Sequence, residues 1–154
     1  MGENRYRRAR KQAAEKNTLL NNSESAQDIV HIERSRLIAI EKDQKTPYPE
    51  EVASMAEVYG APELRDQYCC HQCPLGKERK PLLYEDLNQI SAQLMSSLYF
   101  LQSASDLVFS ILEDGRVAAE EKEAFLKVLQ LLEKVSYGTQ SLKLWAEKNG
   151  LLGE

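Results

Sequence analysis

SESAQDIVHIERSRLIAIEKD, Ser23 to Asp43, is the stretch that decides the fold. Apolar residues fall at Ala26, Ile29, Val30 and Ile32, then at Leu37 and Ile40, with His31 at the break between the two sets. Steps of three and four are the mark of helices that bury one face, so the stretch predicts two short helices joined by a tight turn, a helix-turn-helix. Ala26 is small where the first helix must let another cross close by, and Ile29 and Val30 supply its buried stripe. The chain must then reverse within about three residues, often through left-handed backbone that favours glycine and that histidine tolerates. The second helix, expected from about Glu33 to Lys42, buries Leu37 and Ile40 and turns Arg34, Ser35 and Arg36 outward at its N-terminal end. In a DNA-reading helix-turn-helix that end enters the major groove.

Upstream lies RYRRARKQAAEKN, a helix-favouring run in which Tyr6, Ala9, Ala13 and Ala14 are expected inward and Arg5, Arg7, Arg8, Arg10 and Lys11 outward. Such a face is either simply solvated or makes phosphate contacts beside the helix-turn-helix, which add affinity without sequence choice. The link TLLNN leads to Asn22 or Ser23, either of which can cap the next helix. Downstream, Pro49 followed by Glu50 and Glu51 predicts a helix start, because proline suits the first helical position and carboxylates suit the positive end of the dipole. Val52, Ala53, Met55, Ala56 and Tyr59 form its expected buried stripe, and Gly60 with Pro62 ends it. A further short helix, about Pro62 to Tyr68, completes five helices around one small core.

Composition bounds the rest. The chain has 154 residues, 42% hydrophobic and 29% charged, enough for one or two small globular domains. No apolar run of about 18 residues predicts a membrane span, and the basic start MGENRYRRARKQ has no apolar stretch behind it, so it does not read as a secretory signal. Three cysteines within five positions do not make a disulfide framework and suggest a reducing, cytoplasmic setting. The net charge of -4 is uneven: residues 1–80 carry 14 Lys and Arg against 13 Asp and Glu, residues 81–154 carry 6 against 11. Only the first part can face a polyanion, and its excess is small.

In YCCHQCPLGK, Cys70 and Cys73 form a C-x-x-C with Cys69 and His71 beside them. Two thiolates at that spacing can take two positions of a tetrahedral zinc, but a structural site needs four ligands and no second pair exists, so a partner chain or the distant His31 would have to complete it. The simpler expectation is small buried side chains at a helix end, with Pro74 and Gly76 making the exit turn, and no cofactor. The only histidines are His31 and His71, and no H-E-x-x-H, G-x-S-x-G or glycine-rich phosphate loop is present, so no enzyme is expected.

Residues 77–81 read as a charged linker. Beyond it, Leu83, Leu87, Ile90, Leu94, Leu98, Leu101, Val108 and Leu112 follow helical spacing, broadened by Met95, Tyr99, Phe100, Leu107 and Phe109, until Asp114 and Gly115 stop the helix. A second helix from about Ala119 to Lys148 places Phe125, Val128, Leu132, Val135, Leu142 and Ala146 in an a/d pattern. Two helices of about 30 residues, each near 45 Å, predict a long antiparallel hairpin. Its stripe is too wide for one hairpin to cover, which suggests a homodimer through residues 82–154.

The basic first helix, the small Ala26, Ile32 before the second motif helix, Glu41 near its end and the proline-bounded PYPEEVASMAEVYG together resemble the Cro/C1-type (xenobiotic-response-element) helix-turn-helix transcriptional regulators. MAEVYGAPEL followed by CPLGKE is similar to a bacterial, Firmicutes-like branch, and the resemblance covers about residues 5–80. It implies an all-α chain with an N-terminal lambda-repressor-like domain in residues 1–76 and a DNA-binding regulator of double-stranded DNA. Ser23 would open the helix that crosses the backbone, Arg34, Ser35 and Arg36 would meet base edges or phosphates, and Lys42, Lys45 and Arg8 would contact the backbone. The chain departs from that pattern at Glu33, Ile38, Ala39 and Asp43 and in the long link EKNTLLNN. The departures suggest an alternative, a noncatalytic protein-interaction module that keeps the fold with a weakened DNA surface.

Overall fold

A computed structural model of the chain describes residues 3–76, 79–103, 105, 106, 109 and 117–152. Every regular element among them is helical, and the chain divides into two compact units, residues 1–81 and 82–154. No described helix is long and apolar enough to cross a membrane.

Unit 1 holds α1 (Arg5–Ala14), a 3-10 turn (Thr18–Leu20), α2 (Ser23–Val30), α3 (Arg34–Glu41), α4 (Pro49–Val58) and α5 (Glu63–His71). Asparagines open the first three elements. Asn4 accepts the N–H groups of Tyr6 and Arg7, Asn17 that of Leu19, and Asn22 those of Glu24 and Ser25, satisfying donors that a helix start leaves unpaired. Pro49 sits in the first turn of α4, where Glu51 accepts the Tyr48 N–H at 2.7 Å. Gly60 ends α4 in left-handed backbone, φ 59°.

These helices enclose one core in which Tyr6, Ala26, Val30, Ile32, Leu37, Ile40, Val52, Met55 and Leu64 are buried. The Ser54 hydroxyl of α4 closes the end of α2 by donating to the Val30 carbonyl at 2.7 Å. Leu20 is also core, so the long link between α1 and α2 is an anchored 3-10 turn and not a spacer. Ala53, expected in the stripe of α4, is exposed. The fifth helix continues past Tyr68 through Cys69 and Cys70 to His71, because nothing in DQYCCH breaks a helix.

Arg10 corrects the expected outer face of α1. Its guanidinium lies inside, giving two hydrogen bonds to Glu41 (Nε to Oε1 2.6 Å, Nη2 to Oε2 2.8 Å) and a third to the Leu20 carbonyl at 2.7 Å. Both side chains are at most 7% exposed. The pair forms because Tyr6, Arg10 and Ala13 share the inner side of α1, steps of four and three, and the carboxylate at the end of α3 meets the middle of these.

Unit 2 holds α6 (Leu87–Ser103) and α7 (Lys122–Lys148), which pack together. Tyr84 lies under Lys148, whose ammonium is 4.8 Å from the ring centroid, and the Leu94 side chain lies against Gly138. Residue number therefore rises along one segment as it falls along the other. The seam on α7 runs through Val128, Gly138, Ser141 and Leu144, while Leu132, expected in it, is 42% exposed. Gly138 marks the closest approach, since a Cβ there would come within 3.0 Å of Leu94, while Val128 of the expected a/d set is buried and Phe125, Val135, Leu142 and Ala146 are half-buried. α6 starts at Leu87, not Leu83, with Asp86 accepting the N–H groups of Asn88 and Gln89. The expectations for Leu107, Val108, Leu112, Asp114 and Gly115 fall outside the described residues.

Removing one member of a buried pair leaves the other charge uncompensated. Arg10→Ala or Glu41→Ala is expected to lower the unfolding free energy by about 3–5 kcal/mol, and the apolar double replacement Arg10→Met with Glu41→Leu to recover most of that. Urea titrations followed by circular dichroism measure all three.

Candidate functional site

The helix-turn-helix stretch positions its exposed groups through backbone geometry that its sequence sets locally. His31 takes φ 56°, ψ 35°, the left-handed conformation, so the chain leaves α2 and enters α3 within three residues. Gln27 of α2 accepts the Arg34 N–H through Oε1 at 3.1 Å, which fixes the first turn of α3 against its neighbour. At the other end Asp43 takes φ 57°, and the Asn4 side chain donates to the Ile40 carbonyl (3.1 Å) and to Asp43 Oδ1 (2.7 Å). Both ends of α3 are thereby tied to other elements.

The N-terminal turn of α3 carries Glu33, Arg34, Ser35 and Arg36, and the four differ in what they face. Arg34 is exposed, and the nearest carboxylate, Glu24, stands 4.0 Å away. Glu33 is the N-cap: it accepts the Ser35 N–H at 3.3 Å and the Ser35 hydroxyl at 2.5 Å. The Ser35 hydroxyl, then the Ser35 N–H and the charge of Lys45 hold the Glu33 carboxyl below its ordinary range despite a small opposing desolvation. The turn therefore presents one cation and one anion side by side to solvent.

Arg36 does not face outward as its spacing predicts. Its guanidinium grips both oxygens of Glu51 on α4, touches the Thr46 carbonyl, and stacks 4.2 Å from the centroid of the Tyr48 ring. Its side chain is 21% exposed and that of Glu51 is 12% exposed. The reason lies in α4: the carboxylate that caps its first turn stands where the third residue of α3 must pass, and bidentate pairing wins over solvation. Burial pushes the Glu51 carboxyl up, but the Arg36 hydrogen bonds, the Tyr48 N–H and the Arg36 charge outweigh it and leave it below the usual value.

The remaining candidates are dispersed. Lys42 and Lys45 are exposed on either side of Asp43, after α3 ends, Ser23 is half-buried at the start of α2, and Arg8 is exposed on α1. A shallow cavity of about 410 Å³ lies between the start of α1 and the end of α3, lined by Glu3, Asn4, Arg7, Lys11, Glu41, Lys42 and Asp43. Glu3 ties up two of its cations, accepting Lys11 at 2.5 Å and standing 3.7 Å from Arg7. Gln27, Tyr48 and Glu51 are the functional neighbours that sequence spacing missed. Glu51 is legible only as a carboxylate at the start of α4, not as a partner of Arg36.

Cys69, Cys70 and Cys73 are free thiols. Cys70 is buried, and burial first, then the neighbouring Asp66 carboxylate, pushes its thiol up, away from the thiolate form that binds metal. His71 turns its Nδ1 to the Gln67 carbonyl at 2.8 Å and to Arg5. Gly76 folds back so closely on the Cys69 carbonyl that a Cβ would sit 2.1 Å from it. Among the described residues no cluster of three or more His, Cys, Asp or Glu side chains is placed to hold a metal ion, and Cys70 and Cys73 gather no further ligand.

No protein-family model, curated protein or solved structure matches the chain, so its own residues carry the functional argument.

The depressed carboxyl of Glu51 has a pH signature. Its folded-state value lies below the unfolded one, so its contribution to stability is complete above the ordinary glutamate value of 4.5 and is lost as pH falls through the folded value. Glu51→Gln is expected to remove that acid-limb dependence, leaving unfolding midpoints of the variant and the parent closer at pH 3 than at pH 7, as read by thermal melts at both.

Proposed function

We propose that the chain is a noncatalytic, DNA-binding transcriptional regulator, acting in the reducing cytoplasm as a homodimer. Unit 1 is its lambda-repressor-like domain, and residues 82–154 are an antiparallel helical hairpin that joins two copies. The observation that carries the reading is the turn between α2 and α3: left-handed His31 and the Gln27 clamp fix a short helix whose first turn, with Arg34, stands in solvent. In such a motif the first turn of the second helix meets base edges.

Within that reading the residues divide by role. Arg34 reads a base, guanine being the one a guanidinium matches bidentately. Lys42, Lys45 and Arg8 meet phosphates, and Ser23 stands at the helix start that crosses the backbone. Arg36 acts indirectly, since its guanidinium is spent on Glu51 and Tyr48, and so it positions α3. Ser35 holds Glu33, whose carboxylate accepts from a cytosine amino group and repels a misplaced phosphate.

A second reading has its own support. The cations of this surface are few, and Glu24, Asp28 and Glu33 are exposed around them, so the same fold also suits contact with a basic protein in place of DNA.

Selection of bound duplexes from a randomised library, followed by fluorescence anisotropy across a salt series, separates the two. DNA binding predicts an enriched motif, a loss of about 1–3 kcal/mol of discrimination at one position in Arg34→Ala, and a salt slope reduced by about one in Lys42→Ala with the motif unchanged. No enrichment, or variants that bind as the parent does, removes the DNA reading.

A further inference from the structure

α6 contains no charged residue in 17 positions, LNQISAQLMSSLYFLQS, although most of it lies in solvent. Its inner line is narrow: Ile90 and Ser97 are buried, with Leu94 and Leu101 half-buried between and beyond them. Met95 is 69% exposed, Leu98 44% and Tyr99 70%. On α7, Leu126, Leu129 and Leu132 are 48%, 38% and 42% exposed. A solvated helix face in a monomer carries charge, whereas the centre of an interface is depleted in it and enriched in aromatic residues and methionine.

Met95 and Leu98 of α6 and Leu129 and Leu132 of α7 lie on one side of the unit, while Tyr99 and Leu126 turn away from the seam. Leu98 follows the inward Ser97 by one residue, a step of about 100° around α6, and Leu129 follows the inward Val128 by the same step around α7. The two helices run in opposite senses, so one step forward on each leads to the same side. The exposed fractions of Met95, Leu98, Leu129 and Leu132 leave on the order of 400 Å² of apolar side chain there, a large patch for a monomer and most of the apolar part of a standard interface of about 800 Å² per partner.

We propose that this uncharged face of α6, with Leu129 and Leu132 of α7, takes the same face of a second copy of the chain, closing a four-helix bundle. Two features select a second copy over another protein. Unit 2 buries only Ile90, Val128 and Leu144 among its large described apolar side chains, too little to hold two helices of this length by themselves, so the cover is needed from the moment the chain is made. Another copy is the one partner present whenever the chain is. Residues 81–154 also carry 11 Asp and Glu against 6 Lys and Arg, so two copies repel except where they bring uncharged surface together, and α6 supplies such a surface. The proposal rests on the dimer half of the proposed function and is independent of DNA binding.

Light scattering after size exclusion at micromolar concentration tests it on the full chain. The parent is expected at twice the 17.5 kDa chain mass. The double variant Leu98→Glu with Leu129→Glu is expected to raise the dimer dissociation constant by about a hundredfold or more. If that variant does not fold, a photoreactive benzoylphenylalanine placed at Met95 decides: irradiation is expected to join two chains through α6 or α7, while the same probe at Lys134, about 140° around α7 from Leu129, gives no joined product. A parent that elutes as a monomer, a double variant that dimerises as the parent does, or equal cross-linking from both positions overturns the proposal. Gel shifts on the same samples keep the two questions apart, since a dimer that binds no DNA leaves this interface standing and removes only the DNA reading.

Discussion

The desolvated pair of Arg10 and Glu41 fixes how the elements of unit 1 meet. One guanidinium joins three elements, donating to Glu41 on α3 and to the Leu20 carbonyl of the 3-10 turn from its own place on α1. The arrangement matters because α3 has eight residues, below the length at which a helix holds itself in water. Its shape comes from what grips it: Arg10 and Asn4 at its end, Gln27 at its start, Glu51 through Arg36 on its flank. Apolar packing of Leu37 and Ile40 supplies the attraction, and these four polar contacts fix the angle at which its first turn meets solvent. Tyr59 shows how dry this centre is, since its hydroxyl is buried beside the pair and burial pushes its ionisation well above the ordinary range.

Much of the fold was legible because it is written in local periodicity. Ala26, Val30, Ile32, Leu37 and Ile40 fall on the core as their spacing requires, His31 takes the left-handed backbone that the break needed, and Pro49 and Gly60 bound a helix as their chemistry dictates. The misses share a cause. Charge and helical spacing point Arg10 and Arg36 outward, yet each meets a carboxylate far along the chain, and no local pattern encodes a partner 31 or 15 residues away. Leu20 reads as a link residue because a single apolar side chain has no period. In unit 2 the heptad places Val128 in the seam but Leu132 in solvent, since the closest approach of the two helices falls at Gly138, which no apolar period marks.

The candidate surface was legible only as a set of residue types. Sequence spacing groups Arg34, Ser35 and Arg36, while the structure separates them into an exposed cation, a hydroxyl committed to Glu33, and a guanidinium committed to Glu51. What is left in solvent on that turn is close to electrically balanced, so any polyanion it binds must be held by shape and hydrogen bonding as much as by charge. The cysteines illustrate the same gap between type and placement: one buried thiol, two half-buried ones, and a histidine turned toward Gln67 and Arg5.

The lack of charge on α6 also has a consequence during synthesis. A chain leaves the ribosome from its N-terminus at about 5–20 residues per second, so roughly 2–9 s separate the last residue of α6 from the last residue of α7. Until enough of α7 has followed, a helix with Met95, Leu98, Tyr99 and Phe100 and no charged residue lacks the cover that α7 supplies. Unit 1 is complete by then and can fold, which leaves α6 as the segment most open to chaperone capture or to pairing with a neighbouring nascent chain on the same message.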